Sequence, residues 1–150
     1  MRKVLCLLVL FCILLPCIII TGSANESSTE VVYLDDGGYL TIYVSAIDTR
    51  SSTVKNGSKT YQYTNSNGEV SWKAVLNGTF TYTGSSATCT ASSCTVTVYD
   101  SAWYQVSKTT GKSGGTATAE LTMGYKFLGV TTKKVPVSMT LTCDANGNLS

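Results

Sequence analysis

Between Ala117 and Phe127 six apolar or aromatic residues alternate with five residues that are less apolar, and this period of two excludes a helix there. Side chains of a strand point alternately to its two faces, so the pattern predicts one buried and one solvated face. After Gly129, which marks a reversal, the same pattern returns at Val135, Val137, Met139, Leu141 and Cys143. We therefore predict an antiparallel pair of strands at the end of the chain.

Tight turns separate further alternating runs. Asp35–Gly38 lies between two β-rich segments, and Asn65–Gly68 precedes the strand that carries Trp72. Both turns contain Asn, Asp or Gly, which tolerate the positive φ that hairpins require. No amphipathic helix of ten or more residues is evident beyond the N-terminal segment. The sequence thus predicts an all-β fold, an antiparallel β-sandwich (immunoglobulin-like or similar) of about eight strands.

Four segments interrupt the alternation. We expect Asn56-Gly57 to form a turn and residues 109–115 to be a flexible connection. Asn77-Gly78 falls inside a run that resumes at Phe80, so it predicts a bulge rather than the end of a strand. Pro136 lies on the outward face of its run, which favours an edge strand.

The N-terminus has the pattern of an export signal. Met1-Arg2-Lys3 precede an unbroken apolar run from Val4 to Ile20, and small residues follow up to Ala24. An uncleaved anchor is the alternative, since roughly 17–25 apolar residues span a bilayer. We predict a signal peptide over residues 1–24 cleaved after Ala24, a flexible arm over 25–30 and a single domain over 31–150. The protein is then secreted and extracellular, with no stable membrane span after cleavage.

Charge excludes some classes of partner. Without Arg2 and Lys3, nine basic residues balance nine acidic ones, and Lys133-Lys134 is the only adjacent basic pair. Nucleic acids and anionic membranes are bound by clustered Lys and Arg. We therefore expect neither a nucleic acid nor an anionic membrane as partner. The charge does not identify the partner, and the candidates are a carbohydrate or a protein at the cell surface.

The chain contains no histidine. This removes the usual Ser-His and Cys-His nucleophile pairs and the commonest metal ligand. Carboxylates such as Asp36, Asp100 and Asp144 occur mostly in turns, where Asp serves local hydrogen bonding. We expect no enzyme activity, no catalytic residues, no metal site and no cofactor.

Three cysteines remain after the signal peptide: Cys89, Cys94 and Cys143. An oxidising compartment permits one disulfide and leaves one free thiol. Cys89 and Cys94 could close a short loop. Cys94 and Cys143 both continue inward strand faces, and Cys89 with Cys143 is the third option. Spacing alone does not choose among these pairs.

The aromatic residues provide the candidate binding site. Tyr and Trp join an apolar ring to a polar tip, which suits sugar stacking and protein contacts. Trp72 lies on the apolar face of its predicted strand, so we expect it in the core. Trp103 and Tyr104 lie beside a polar loop, so we expect them to form an exposed binding site.

The chain resembles uncharacterised small secreted β-rich proteins of Gram-positive bacteria in its signal peptide, the run TVKNGSKTYQYTNSNGEVSWKAVLNGTFTYTG, a cysteine-containing turn and the terminal LTCDANGNLS. The resemblance implies no functional residue. We expect a secreted, non-enzymatic binding or cell-surface-associated module, and the alternative is a secreted toxin or bacteriocin-like effector.

Overall fold

The structure is a computed structural model that describes residues 29–47 and 53–150. Within these ranges the chain forms eight antiparallel β-strands and no helix, so the predicted all-β class is confirmed. The predicted signal peptide, its cleavage site and residues 25–28 of the predicted arm lie outside the described residues. The strands are β1 Thr29–Tyr33, β2 Tyr39–Ile47, β3 Val54–Thr64, β4 Val70–Tyr82, β5 Ala87–Val98, β6 Trp103–Ser113, β7 Thr116–Phe127 and β8 Val130–Thr142.

The strands form two sheets, one of five strands in the order β1-β2-β3-β4-β5 and one of three in the order β6-β7-β8. Strands that are hydrogen-bonded to each other are therefore always consecutive in the chain. Immunoglobulin domains instead use Greek-key connections that place non-consecutive strands side by side. The immunoglobulin-like form of the prediction is wrong for this reason.

Turns and strand faces agree with the sequence where the local signal is strong. The turn at residues 35–38 closes with a hydrogen bond from Leu34 N to Gly38 O (2.9 Å), and the turn at 65–68 closes between Asn65 N and Glu69 O (2.9 Å). Alternate residues of β7 and β8 are buried, up to Met123 in β7 and from Val135 in β8. Pro136 lies on β8, an edge strand, as predicted.

Two predicted loops belong to strands. Asn56-Gly57 is not a turn, because β3 runs through it and pairs Gly57 with both Ala46 and Gly78. The predicted connection at 109–115 is mostly strand, because β6 continues to Ser113 and reverses within Gly114-Gly115. The predicted flexible arm included Thr29 and Glu30, but both residues belong to β1 and pair with β2.

The cysteines are free thiols, and no disulfide joins Cys89, Cys94 and Cys143. The option of a Cys89–Cys94 bridge is wrong because both residues lie on β5. Five residues of extended strand separate their Cα atoms by roughly 16 Å, whereas a disulfide needs Cα atoms about 4.4–6.8 Å apart. All three side chains are buried, and burial raises the pKa of each thiol. All three thiols belong to the buried cluster and contribute to its packing.

Residues from both sheets contribute to one buried cluster, which includes Trp72 and Phe80 of the larger sheet and Met123 and Met139 of the smaller one. Trp72 is fully buried, so its predicted place in the core is confirmed. In residues 29–47 and 53–150 there is no helix with the length and hydropathy that crossing a membrane requires.

Candidate functional site

A cleft of about 370 Å³ lies at one end of the molecule, where residues of both sheets meet. Its lining includes residues of the three connections that follow β1, β3 and β5, represented by Asp36, Asn65 and Asp100, and Thr132 near the start of β8, just after the connection that follows β7. Consecutive antiparallel strands reverse the chain each time, so alternate connections return to the same end. The topology thus gathers residues that are distant in sequence into one concave surface.

Four aromatic rings form a cluster at the base of this cleft. The Trp103 ring lies 4.9 Å from Tyr63 and 5.4 Å from Tyr125, measured between ring centroids. Trp72 stacks on Tyr63 at 5.6 Å and lies 6.1 Å from Trp103. Tyr63, Trp103 and Tyr125 line the cleft, while Trp72 supports them from beneath. The cluster therefore joins the core of the protein to the candidate site.

The two aromatic residues that the sequence singled out have different positions. Trp103 is only 6 % exposed, so the prediction that it is exposed is wrong: its parity in β6 directs the ring into the aromatic cluster. It nevertheless lines the cleft. Tyr104 is the next residue of the strand and does not line it. Its hydroxyl contacts Thr131 Oγ1 (2.6 Å), and Lys126 Nζ lies 4.4 Å above its ring.

Two β-bulges bring hydroxyl groups to the cleft. In β4, Tyr63 pairs with Trp72 and Thr64 with Val70, which leaves Ser71 as the extra residue. In β8, Tyr125 pairs with Lys133 and Lys126 with Thr131, which leaves Thr132 unpaired. Bulges occur near functional sites because they redirect a side chain from its regular face. Both extra residues line the cleft.

Ser71 is the most unusual polar residue of the site. The residue is 1 % exposed, and its Oγ has no hydrogen-bond partner among the described residues. Its backbone is well held, because Ser71 O accepts hydrogen bonds from Tyr99 N (2.9 Å) and Asp100 N (3.1 Å). A buried hydroxyl without a partner costs about 1–3 kcal/mol. The cleft therefore contains a fixed hydroxyl whose hydrogen-bonding capacity the protein does not use.

An ion pair crosses the rim of the cleft. Lys133 Nζ of β8 pairs with Asp36 Oδ2 of the β1–β2 turn, and the Tyr63 hydroxyl donates to the same oxygen (2.6 Å). Burial alone would raise the pKa of Asp36, but the bonds from Lys133, Tyr63 and Gly38 N outweigh it and lower that pKa to about 2. Burial and the Asp36 hydrogen bond raise the pKa of Tyr63 above its ordinary value. Asp36 is thus ionised and Tyr63 neutral at neutral pH.

We expect Asp36→Asn to lower the free energy of unfolding at pH 6 by about 1 kcal/mol, since solvent reaches both charged side chains and screens the pair. The folded pKa of Asp36 lies below the unfolded value of about 3.9. Its contribution is therefore complete above pH 4 and is lost as the pH falls from about 4 to about 2. Urea unfolding of both proteins between pH 2 and pH 7 measures this difference.

Asp35→Asn is the matched control, because Asp35 is the exposed neighbour in the same turn. The free energy of unfolding of Asp35→Asn should change between pH 2 and pH 6 by as much as that of the wild type. A constant stability gap between wild type and Asp36→Asn over this whole range would contradict the assignment of the acid response to the Asp36–Lys133 pair.

Sequence reasoning found Trp103 but missed Tyr63, Tyr125 and the two bulge residues. Tyr63 and Tyr125 have the alternation of ordinary strand residues, and only the meeting of two sheets places them together. No local signal distinguishes Ser71 or Thr132, because a bulge depends on the register of the partner strand. Spacing between turns would have placed Asp36 and Asn65 at one end of the molecule.

Among the described residues, no group of three or more Cys, Asp and Glu side chains is placed to hold a metal ion. No protein-family model, curated protein or solved structure matches this chain.

Proposed function

We propose that this protein is an exported, non-enzymatic binding module that holds an uncharged saccharide in the aromatic cleft. The observation that carries the proposal is the buried Ser71 hydroxyl, which has no partner among the described residues and belongs to a residue that lines the cleft together with Trp103 and Tyr125. A sugar ring offers C–H groups on its face and hydroxyls at its edge. One face would therefore contact an aromatic ring while an edge hydroxyl exchanges a hydrogen bond with Ser71.

The size and lining of the cleft support a small ligand. Its volume of about 370 Å³ falls at the lower end of the range for small-molecule sites, about 300–1,000 Å³. Such sites combine apolar walls with a few well-placed polar groups. Here Ser71 and Thr132 supply hydroxyls, and Asn67 supplies an amide at the rim.

Charge favours a neutral sugar over an acidic one. Lys133 is the one cation among the residues that line the cleft, and it is already paired with Asp36. Of the two lining carboxylates, Asp100 accepts a hydrogen bond from Ala102 N (2.9 Å). An anionic ligand would therefore have to break the Asp36–Lys133 pair before it gained a counter-ion.

The state of Asp36 supports binding without hydrolysis. A glycosidase uses two carboxyl groups, one of which must keep its proton near neutral pH. Asp36 has a pKa near 2 and cannot serve as that acid. The N-terminal segment Met1–Ala24 supports export, and the sharing of one core by both sheets supports a β-sandwich architecture for the module.

A glycan array of neutral saccharides, followed by calorimetry on the best ligand, tests the proposal. We expect Ser71→Ala to weaken binding at least tenfold, because one hydrogen bond from a buried group is lost. The same substitution should leave the free energy of unfolding unchanged or raise it by up to about 1 kcal/mol, since it removes an unsatisfied polar group.

Ser92→Ala is the matched control. Ser92 Oγ is also buried without a partner, but it belongs to β5 and does not line the cleft. It should bind like the wild type. Absence of any saccharide ligand, or equal affinity of Ser71→Ala and wild type, would overturn the proposal. Inhibition of the growth of neighbouring cells without saccharide binding would instead support the effector hypothesis.

A further inference from the structure

The hairpin between β7 and β8 ends in an exposed apolar tip. Phe127 is 60 % exposed, Leu128 89 % and Val130 66 %. The sequence predicted that Phe127 continues the buried face of β7. That prediction is wrong because the register shifts after Tyr125, and the hairpin extends past the core. Three large apolar side chains at one tip cost solvation free energy that the fold does not recover.

The backbone of this tip is also strained. Leu128 has φ of +50°, and it is the one non-glycine residue with positive φ among the described residues. Two-residue hairpin turns of this kind favour Asn or Asp followed by Gly, because L side chains other than these rarely adopt positive φ. Leucine at this position is both strained and exposed. Such a combination points to a role outside the folding of the chain.

Amphipathic residues lie directly behind the tip. Lys126 N donates to Ala102 O (2.8 Å), which places the tip next to the connection that contains the exposed Tyr99. The Lys126 ammonium lies over the ring of Tyr104, which is half-buried. Tyrosine and lysine in this position, behind leucine and phenylalanine, are the residues found at the boundary between lipid headgroups and acyl chains.

We propose that the tip formed by Phe127, Leu128 and Val130 inserts into the interfacial layer of a lipid bilayer. Insertion buries the apolar side chains and leaves Lys126 at the level of the headgroups. Asp35, Glu69 and Asp100 lie at the same end as Lys126 and Lys134, so net charge there gives no attraction to anionic lipid. The binding energy therefore comes from apolar burial, and the inference does not depend on a saccharide ligand.

The arrangement has a consequence for the cleft. Thr132 and Lys133, which line it, follow Val130 by two and three residues. An inserted tip would hold the opening of the cleft close to the membrane surface. The module would then act on ligands displayed at that surface.

Flotation with vesicles of phosphatidylcholine tests the inference. Wild type should float with the vesicles, and Leu128→Asn should lower the partition coefficient about tenfold because one apolar side chain no longer enters the bilayer. Asparagine tolerates positive φ, so the same variant should keep or slightly raise the melting temperature. All variants are made both as the full chain and as residues 25–150, and the partition coefficients are compared in the second set, because the apolar run Val4–Ile20 would itself hold the full chain on the vesicles.

Ile47→Asn is the matched control, because Ile47 is 58 % exposed at the opposite end of β2 from the cleft. It should float like the wild type. Leu128→Trp adds a local measurement: its emission should shift to the blue when vesicles are added, against the constant background of buried Trp72 and Trp103.

Three results would overturn the inference. They are no flotation of the wild type, equal partitioning of wild type and Leu128→Asn, and flotation only with vesicles that contain phosphatidylglycerol. The last result would show electrostatic rather than apolar attachment. If the wild type does not float and self-associates in a way that depends on Leu128, the tip binds a second copy of the chain instead.

Discussion

Trp103→Ala should lower the free energy of unfolding by about 3–5 kcal/mol, as expected when a large buried aromatic side chain is removed from a packed core. Trp103 contacts three other rings and is almost completely buried. Its ring belongs to the smaller sheet and packs against the rings of Tyr63 and Trp72 of the larger one. Its loss therefore removes contacts between the sheets as well as one wall of the cleft. Urea unfolding followed by circular dichroism measures the effect.

Tyr104→Ala provides the comparison. The two residues are adjacent in sequence, but Tyr104 lies on the other face of β6, where its ring covers Gly124 and its hydroxyl contacts Thr131. We expect a loss of about 1 kcal/mol, because a partly exposed side chain has less area to lose from burial. Binding of any cleft ligand should be lost in Trp103→Phe, which keeps most of the packing, and retained in Tyr104→Ala. Equal destabilisation by the two alanine variants would contradict the observed burial.

The strand faces could be predicted because they depend on local pattern. Alternation identified β7 and β8, and the parity of Trp72 placed it correctly in the core. Each of these inferences uses only the period of two that a pleated strand imposes. Burial on one side is then enforced by the hydrophobic effect, since a slip of one residue would expose the whole apolar face.

Predictions failed where a distant residue decides the structure. Asn56-Gly57 has the composition of a turn, but Gly57 pairs across to Gly78, and a side chain at Gly57 would collide with Leu149. The polar run at 109–115 looked flexible because β6 exposes most of its side chains. In β6 the Lys108 ammonium donates to Cys94 O (2.7 Å) and the Lys112 ammonium donates to Thr90 O, so the two lysines satisfy carbonyl groups of the edge strand β5. Neither contact can be inferred from the local composition of the sequence.

The candidate site was predicted least well for the same reason. Ser71 and Thr132 reach the cleft only because each is the extra residue of a bulge, and the register that creates a bulge belongs to two strands at once. Ser71 and Leu128 also share an energetic feature. One leaves a buried hydroxyl without a partner, and the other places an exposed leucine at positive φ. Both features destabilise the folded state. We therefore expect substitutions at these two positions to reduce binding without reducing stability.

Gly78 and Phe80 should give the second large effect on stability. Phe80 is fully buried, so Phe80→Ala should cost about 3–5 kcal/mol. A Cβ on Gly78 would approach the Phe80 ring to 2.5 Å and Leu141 Cδ2 to 3.3 Å. Alanine usually replaces glycine in a strand without cost, but here the ring cannot move away because the core surrounds it. We expect Gly78→Ala to cost about 1–3 kcal/mol through overpacking.

The double variant separates this steric account from a general intolerance of β4. Once Phe80→Ala has removed the ring, the methyl group of Gly78→Ala has space. The double variant should therefore be destabilised by at least about 1 kcal/mol less than the sum of the two single variants. Gly111→Ala is the control glycine in a strand, since its Cβ would meet only the Thr118 hydroxyl, which can rotate. It should be nearly neutral. Strict additivity of Gly78→Ala and Phe80→Ala in urea unfolding would mean that the ring does not occupy the space that the missing side chain leaves.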